Sequence, residues 1–212
     1  MVPGVERATA ADDNRTANRR ADAQRNRAAI LAATPGVLRQ NPEASVADIA
    51  AAAGLGRMTL YGHFRSRAEL IDAALTDSLE RGDSVLSVVP LDGPPAEAFA
   101  RLVETSWALI SDARGLVIAA QKELPFERVR ELHVKAEERV RRVLERGQRE
   151  GAFRTDVPLR WLLTTTHVIM NAAADDVVAG HVDGNDAARL INAVLQPAVA
   201  APRQSPTRRA NR

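Results

Sequence analysis

Residues 45–67 read SVADIAAAAGLGRMTLYGHFRSR, and this stretch decides how the surrounding chain folds. Its first half predicts a short helix, because apolar residues recur at intervals of three and four: Val46, Ile49, Ala50 and Ala53. Ser45 precedes them, where its hydroxyl is placed to accept a hydrogen bond from an amide of the first turn. Gly54 then ends the helix. The sequence therefore predicts a helix followed by a tight glycine turn.

A second short helix is predicted from about residue 57 to residue 64. Leu60 and Phe64 lie four residues apart and form its buried side. The exposed side comprises Met58, Thr59 and Gly62, flanked by Tyr61 and His63, with Arg57 in the first turn. A surface with a cation, hydroxyls, an imidazole and apolar contacts suits the major groove of DNA. A plain helical hairpin has the same outline, but it needs no aromatic or imidazole group on its exposed side.

The order of residues is Ser-Val-x-Asp-Ile-Ala, then Ala-Gly-Leu, then Thr-Leu-Tyr-x-His-Phe-x-Ser-Arg-x-Glu-Leu, ending at Leu70. In this order the stretch resembles the DNA-binding domain of the TetR family of transcriptional regulators. The resemblance implies an all-α fold, in which a three-helix helix-turn-helix domain precedes a helical bundle for dimerisation and ligand binding. It also implies a sequence-specific regulator, most often a repressor, that binds a palindromic operator in double-stranded DNA.

The resemblance and the side-chain chemistry together predict a set of DNA-contacting residues: Ser45, Arg57, Met58, Thr59, Tyr61, His63 and Arg67. A bidentate contact between Arg57 and guanine is worth about 1 to 3 kcal/mol of discrimination. Tyr61 and His63 are expected at phosphates, and Thr59 or Met58 at a thymine methyl group.

Two positions near this surface differ from what is common in similar proteins. Arg67 stands where many relatives have lysine, and we expect it at a phosphate near the start of the fourth helix. Gly62 replaces the bulkier residues common at its position, which removes a candidate base contact. A glycine inside a helix also costs about 0.5 to 1 kcal/mol relative to alanine.

Composition narrows the classes of protein that fit. The chain has 212 residues, 45% of them hydrophobic, which is enough for a small and a larger helical unit. It has no cysteine, so a disulfide framework and a thiolate metal site are both excluded. No apolar run approaches the length of a membrane span, and the start of the chain lacks a signal-peptide pattern. We expect a cytoplasmic protein with no membrane association, no cofactor and no metal.

Basic groups are concentrated at the two ends of the chain. Residues 1–70 carry 10 basic and 7 acidic groups, whereas residues 71–200 carry 15 basic and 20 acidic groups. The last 12 residues add 4 arginines. A basic end on an acidic body orients a protein toward the phosphate backbone. Whether the terminal arginines contact DNA or are only solvated stays open.

Helix patterns and breakers divide the chain into four parts. We expect a flexible basic arm over residues 1–22, the helix-turn-helix domain over 23–69, a helical ligand-binding and dimerisation domain over 70–200, and a disordered basic tail over 201–212. In the first helix, Pro35 removes a backbone donor and clashes one turn back, so a kink or break is predicted near Ala33.

The last two predicted helices, at about 158–178 and 186–196, are candidates for a dimer interface. The first is apolar on two sides: Leu159, Leu162, Leu163, Thr166, Met170 and Ala173 lie on one, while Trp161, Val168 and Ala172 lie elsewhere. A helix apolar on two sides needs two partners. We expect both helices to pair with their copies across a two-fold axis, which suits a palindromic site. Packing within one chain is the alternative.

The resemblance implies a small-molecule pocket in the body, and polar or aromatic residues on aliphatic helices are the candidates to line it: Trp107, Gln121, Phe126, His133, His167 and Met170. With 3% aromatic residues, the pocket suits an apolar effector. A DNA-binding protein without an effector, constitutive or architectural, is one alternative. A helical enzyme is another, but no catalytic residue is predicted, because the Glu-x-x-His pairs and nucleophile motifs of such enzymes are absent.

Overall fold

The computed structural model describes the backbone of residues 5–202 and the side chains of residues 17–134 and 137–202. The predicted all-α fold is confirmed by the helices of this range. They are α1 (Val5–Gln40), α2 (Val46–Ala52), α3 (Arg57–His63), α4 (Arg67–Ser87), α5 (Pro95–Glu123), α6 (Phe126–Arg149), α7 (Leu159–Val178) and α8 (Gly184–Val199). No helix in the described residues is both long enough and apolar enough to cross a bilayer.

The first helix differs from the prediction at both ends of its range. It begins at Val5, so most of the segment expected to be a flexible arm over residues 1–22 is helical. It also continues through Pro35 to Gln40, where a break near Ala33 was predicted. Ile30, Thr34 and Leu38 share one fully buried face, and the Thr34 hydroxyl donates to the Ile30 carbonyl over 2.7 Å. Burial of this face on both sides of the proline offsets the one hydrogen bond that the ring removes.

The chain divides into two compact units. The first comprises residues 1–80 and 112–129, and the second comprises residues 81–111 and 130–212. The sequence predicted a single boundary between residues 69 and 70, whereas the first unit contains the first part of α4 and a later segment from α5 and α6. The predicted basic tail lies outside the described residues from 203 onward.

In the first unit, α1 packs on α2 and α3 around fully buried apolar side chains, among them Ile30, Leu38, Ile49, Leu60, Phe64, Leu70 and Ile71. The guanidinium carbon of Arg27 lies 4.5 Å from the centre of the Phe64 ring, a cation–π distance that joins α1 to the end of α3. Helix α5 crosses the end of α1 at Gly115. A Cβ atom at Gly115 would lie 2.0 Å from the Leu38 carbonyl oxygen, so the crossing requires glycine.

The second unit has its own core. Its buried side chains include Phe99, Leu102, Leu144, Phe153, Leu163, Ile191 and Leu195. The rings of Phe99 and Phe153 meet edge to face at 5.8 Å. The Phe153 ring also rests on Gly147, where a Cβ atom would approach it to 1.9 Å. The turn after α6 is fastened to the end of α8, because the Arg154 amide donates to the Val199 carbonyl and the Ala201 amide to the Ala152 carbonyl.

Candidate nucleic-acid interface

The α2 helix begins with a capping box. The Asp48 amide donates to the Ser45 hydroxyl over 3.3 Å, and the Ser45 amide donates to the Asp48 carboxylate over 2.8 Å. The Ser45 hydroxyl also donates to this carboxylate. These bonds from the Ser45 side chain and backbone lower the pKa of Asp48. Ser45, which was predicted to contact DNA, is therefore also the residue that fixes the start of α2.

The turn between α2 and α3 forms as the sequence predicts. Gly54 has φ 70°, a left-handed conformation that a glycine adopts without strain. The Leu55 amide then donates to the Ala50 carbonyl over 2.9 Å, which closes the end of α2. Helix α3 starts two residues later and is held by Leu60 and Phe64, which are 1% and 0% exposed. Two buried anchors on one side fix which side of α3 faces solvent.

The exposed side of α3 carries the predicted recognition residues. The Met58 side chain is 82% exposed and Tyr61 is 37% exposed, while Thr59 is also exposed and His63 is half-buried. A Cβ atom at Gly62 would meet nothing within 4 Å, so the chain itself leaves room there for a larger residue. The guanidinium carbon of Arg57 lies 5.4 Å from the Tyr61 ring centre, so these two side chains form one cation–π pair.

A groove of about 440 Å³ runs beside this surface within the first unit. Its lining residues come from the loop before α2 and from the starts of α2, α3 and α4: Glu43, Ser45, Val46, Ala47, Arg57, Tyr61 and Arg67. In addition to Arg57, three residues predicted to contact DNA line this groove: Ser45, Tyr61 and Arg67. The hydrogen bond and the charge of Lys122 lower the pKa of Glu43, and the charge of Arg67 acts in the same direction.

Arg67 has intramolecular partners that the sequence did not reveal. Its Nε atom donates to the Ala44 carbonyl over 3.2 Å and its Nη2 atom to the Pro42 carbonyl over 2.8 Å. Its Nη1 atom forms an ion pair with the Glu123 carboxylate, and both side chains are 23% exposed. The guanidinium expected at a phosphate is therefore engaged inside the first unit, and its contact with DNA stays a prediction.

Arg65 is an exposed cation at the start of α4 that the site prediction missed. Its amide donates to the Glu69 carboxylate over 2.8 Å, and the Glu69 amide donates to the Ser66 hydroxyl over 3.1 Å. The sequence Ser66-x-x-Glu69 is typical of a helix start, although here the Glu69 carboxylate accepts from the Arg65 amide and not from that of Ser66. Cations at helix starts beside α3 are candidates for phosphate contacts.

The predicted effector-contacting residues are divided between the two units. Gln121 and Phe126 belong to the first, where both are exposed, Phe126 by 77%. Within the second unit, the rings of His133 and His167 meet edge to face at 5.6 Å. Met170, one turn beyond on α7, is part of the core at 3% exposure. Trp107 is also in the core, and its indole N–H donates to the Gly184 carbonyl over 3.4 Å.

A helix, a glycine turn and a second helix with a polar exposed side, braced by α1, define a helix-turn-helix DNA-binding domain. The model of the family described as bacterial regulatory proteins, tetR family, matches residues 30–74, which comprise this domain. Residues 30–74 thus match the DNA-binding domain of the TetR family of transcriptional regulators, the family that the sequence resembles.

Two curated repressors are similar in sequence. The transcriptional repressor LfrR of Mycolicibacterium smegmatis is 37% identical over 89 residues, which are 39% of this chain and 44% of LfrR. The repressor KstR2 of Rhodococcus jostii is 31% identical over 121 residues, 53% of this chain and 59% of KstR2. The chain thus aligns with about half the length of these relatives.

Solved structures extend the likeness in fold beyond the DNA-binding domain. The structure of LfrR from Mycobacterium smegmatis in complex with proflavine has a TM-score of 0.67 at 25% identity, over 82% of this chain and 97% of that one. The fatty acid degradation regulator FadR from Bacillus halodurans has the same TM-score at 19% identity, over 80% and 94% of the two chains. At 19% identity, the likeness to FadR concerns the fold alone.

Proposed function

We propose that this protein is a sequence-specific, ligand-responsive transcriptional repressor that binds a palindromic DNA operator as a homodimer in the cytoplasm. One observation carries the proposal. The buried Leu60 and Phe64 orient α3 so that Met58, Thr59 and Tyr61 face solvent beside Arg57. The similar proteins LfrR and KstR2 are transcriptional repressors, which supports repression as the sign of regulation.

Each exposed residue of α3 has a proposed role at DNA. Arg57 binds guanine through its two parallel donors, and Thr59 or Met58 contacts a thymine methyl group. Tyr61 and His63 bind phosphates and so position the helix without reading sequence. Ser45, at the start of α2, presents its capped helix end to the backbone of the same duplex.

The second copy of the chain is proposed to dock on α7 and α8. Large apolar side chains are exposed on these helices: Trp161 by 64%, Val168 by 56%, Val194 by 55% and Leu190 by 39%. Leu190 and Val194 also line an apolar groove of about 230 Å³ between the two helices. An exposed apolar face of this extent is typical of an interaction surface. A two-fold symmetric dimer suits a palindromic operator, whose half-sites lie about 34 to 36 Å apart.

The effector is proposed to be an apolar or aromatic small molecule that binds in the second unit near His133, His167 and Met170. The imidazole rings of His133 and His167 meet edge to face in that unit, whose core is largely aliphatic. The crystal structure of LfrR in complex with proflavine supports an aromatic ligand. Binding of the effector favours a conformation with low operator affinity. Trp107, which belongs to the core of the same unit, is proposed as a further contact of the effector.

The test of DNA reading is selection of randomised duplexes at near-physiological salt, where non-specific electrostatic binding is weak. We expect an enriched inverted repeat. The Arg57→Gln protein should lose about 1 to 3 kcal/mol of affinity for it and discriminate less at one base pair of each half-site. Arg142→Gln, a change of an exposed arginine on α6, is the matched control and should bind normally. Absence of enrichment beyond non-specific affinity would contradict the proposal.

The effector is tested on the protein bound to the selected operator. Proflavine and a fatty acid are the first probes, because LfrR is seen in complex with proflavine and FadR is a regulator of fatty acid degradation. We expect one aromatic probe to raise the melting temperature of the free protein and to release the DNA. His133→Ala should abolish the release while leaving DNA affinity unchanged. A protein that no probe stabilises and that binds DNA constitutively would favour the alternative without an effector.

A further inference from the structure

The last two residues of α5 lie against the groove beside α3. Lys122 forms an ion pair with Glu43, and Glu123 forms one with Arg67. Glu43 and Arg67 both line the groove, so α5 supplies an opposite charge to one acidic and to one basic residue of its wall. Every residue of these two pairs belongs to the first unit.

The three nitrogen atoms of the Arg67 guanidinium have different partners. Nε and Nη2 bind the carbonyl groups of Ala44 and Pro42, which fastens the start of α4 to the loop between α1 and α2. Nη1 binds the carboxylate of Glu123. The two backbone bonds do not involve α5. If Glu123 moves away, the two backbone bonds still hold Arg67 on the groove wall, and Nη1 becomes available to bind another anion.

A phosphate and a carboxylate compete for such a donor. Both are oxyanions that a guanidinium binds through charge-assisted hydrogen bonds, and the competition is resolved by which anion is nearer and better oriented. Arg67 shares its groove with Ser45, Arg57 and Tyr61, all proposed at DNA. At 23% exposure, the pair is reached by solvent and is not sealed in the core.

We propose that Glu123 is an intramolecular competitor of DNA phosphate: it occupies the Nη1 donor of Arg67 and thereby holds back one backbone contact of the reading surface. This inference rests on the proposed DNA-binding function and names a regulatory contact within that site. The end of α5 then sets operator affinity through charge as well as through position, because a shift that separates Glu123 from Arg67 releases one phosphate-binding cation.

The test is operator affinity at several salt concentrations for the full chain and for Glu123→Gln. One extra phosphate contact makes the slope of log affinity against log salt about 0.9 more negative, so the loss of affinity between 50 and 200 mM salt grows by about 3.5-fold. We expect this steeper slope and tighter binding at low salt from Glu123→Gln. Glu127→Gln is the charge-matched control in the same unit, and it should keep the slope of the unaltered protein.

A second variant separates competition from loss of a structural brace. Glu123→Asp keeps the charge and shortens the side chain, which weakens the pair, so its slope should lie between those of the unaltered protein and Glu123→Gln. Equal slopes for Glu123→Gln, Glu127→Gln and the unaltered protein would overturn the inference, as would weaker binding by both Glu123 variants. If the unaltered protein selects no operator at all, the proposed function fails instead.

Discussion

At the scale of the residue, a few close contacts decide which substitutions the fold tolerates. Gly115 and Gly147 illustrate this best, because each has another group where a Cβ atom would lie. At Gly147 that group is the Phe153 ring, a side chain that can shift. At Gly115 it is the backbone of Leu38, which cannot move without displacing the end of α1. The two glycines therefore differ in how much strain an added methyl group brings.

Gly115→Ala is predicted to destabilise the first unit. The new methyl group would meet the Leu38 carbonyl at 2.0 Å, so α1 and α5 must separate, and overpacking of this kind costs about 1 to 3 kcal/mol. Urea unfolding followed by circular dichroism measures the change. Gly36→Ala is the control, because it lies in α1 with nothing within 4 Å of its Cβ position and should be neutral or slightly stabilising. Equal stability of the two variants would contradict the crossing.

At the residue scale, the sequence predicted which side of α3 is buried but not the intramolecular partners of Arg67. Leu60 and Phe64 were assigned to the buried side by their spacing alone, and both are buried. The engagement of Arg67 depends on Glu123, 56 residues later, and no local pattern reports a contact between residues so far apart. Likewise, periodicity indicated that His133 and His167 lie near apolar faces, but their edge-to-face contact follows only from how α6 and α7 pack.

At the scale of the element, α2 and α3 were predictable because their signals are local. A cap, an apolar stripe and a glycine with positive φ specify each end of α2 without help from the rest of the chain. The extent of helix α1 was not predictable, because the effect of Pro35 depends on how the residues around it pack. The buried face of Ile30, Thr34 and Leu38 is a tertiary property, and it overrides a local breaker.

The capping box makes the stability of α2 depend on pH. The Ser45 bonds lower the pKa of Asp48 below its ordinary value of 3.8, so the ionised carboxylate stabilises the folded state. This contribution is fully present above that value and is lost as the pH falls through the lower pKa of the folded protein. Urea unfolding of the unaltered protein and of Asp48→Asn should therefore differ at pH 7 and converge below about pH 4.

An exposed carboxylate outside the cap provides the control. Asp22→Asn removes one exposed acidic group from α1 in the same unit, and its stability should track that of the unaltered protein without the convergence expected for Asp48→Asn. If the difference between Asp48→Asn and the unaltered protein were the same at pH 7 and at pH 3, the cap would act through its shape and not through its charge.

At the scale of the whole molecule, large apolar side chains of α7 and α8 are exposed, and they form the surface proposed for the second copy. Trp161 and Val194 are more than half exposed, which is costly in water for side chains of their size. The sequence predicted this face from a helix that is apolar on two sides. The partition into units was not predicted, because the segment over residues 112–129, from the end of α5 and the start of α6, belongs to the first unit without any mark in local composition.

Val194→Asp is predicted to convert a dimer into monomers, because a carboxylate at an apolar two-fold interface loses its hydration without gaining a partner. Light scattering measures the mass. Operator affinity should fall about a hundredfold or more, since each half-site is then bound singly. Val88→Asp, at an apolar residue 78% exposed beyond the end of α4, is the control and should stay dimeric. A dimeric Val194→Asp protein would place the interface elsewhere.

The discontinuity of the first unit has a consequence for how the protein is made. Its packing at Gly115 and its ion pairs at Lys122, Glu123 and Arg128 all come from a segment that ends at residue 129. During translation, the helix-turn-helix is synthesised long before that segment leaves the ribosome. The DNA-binding unit therefore completes its packing only after more than half of the chain has been synthesised, and residues 1–80 joined to another protein would lack the contacts that the later segment makes.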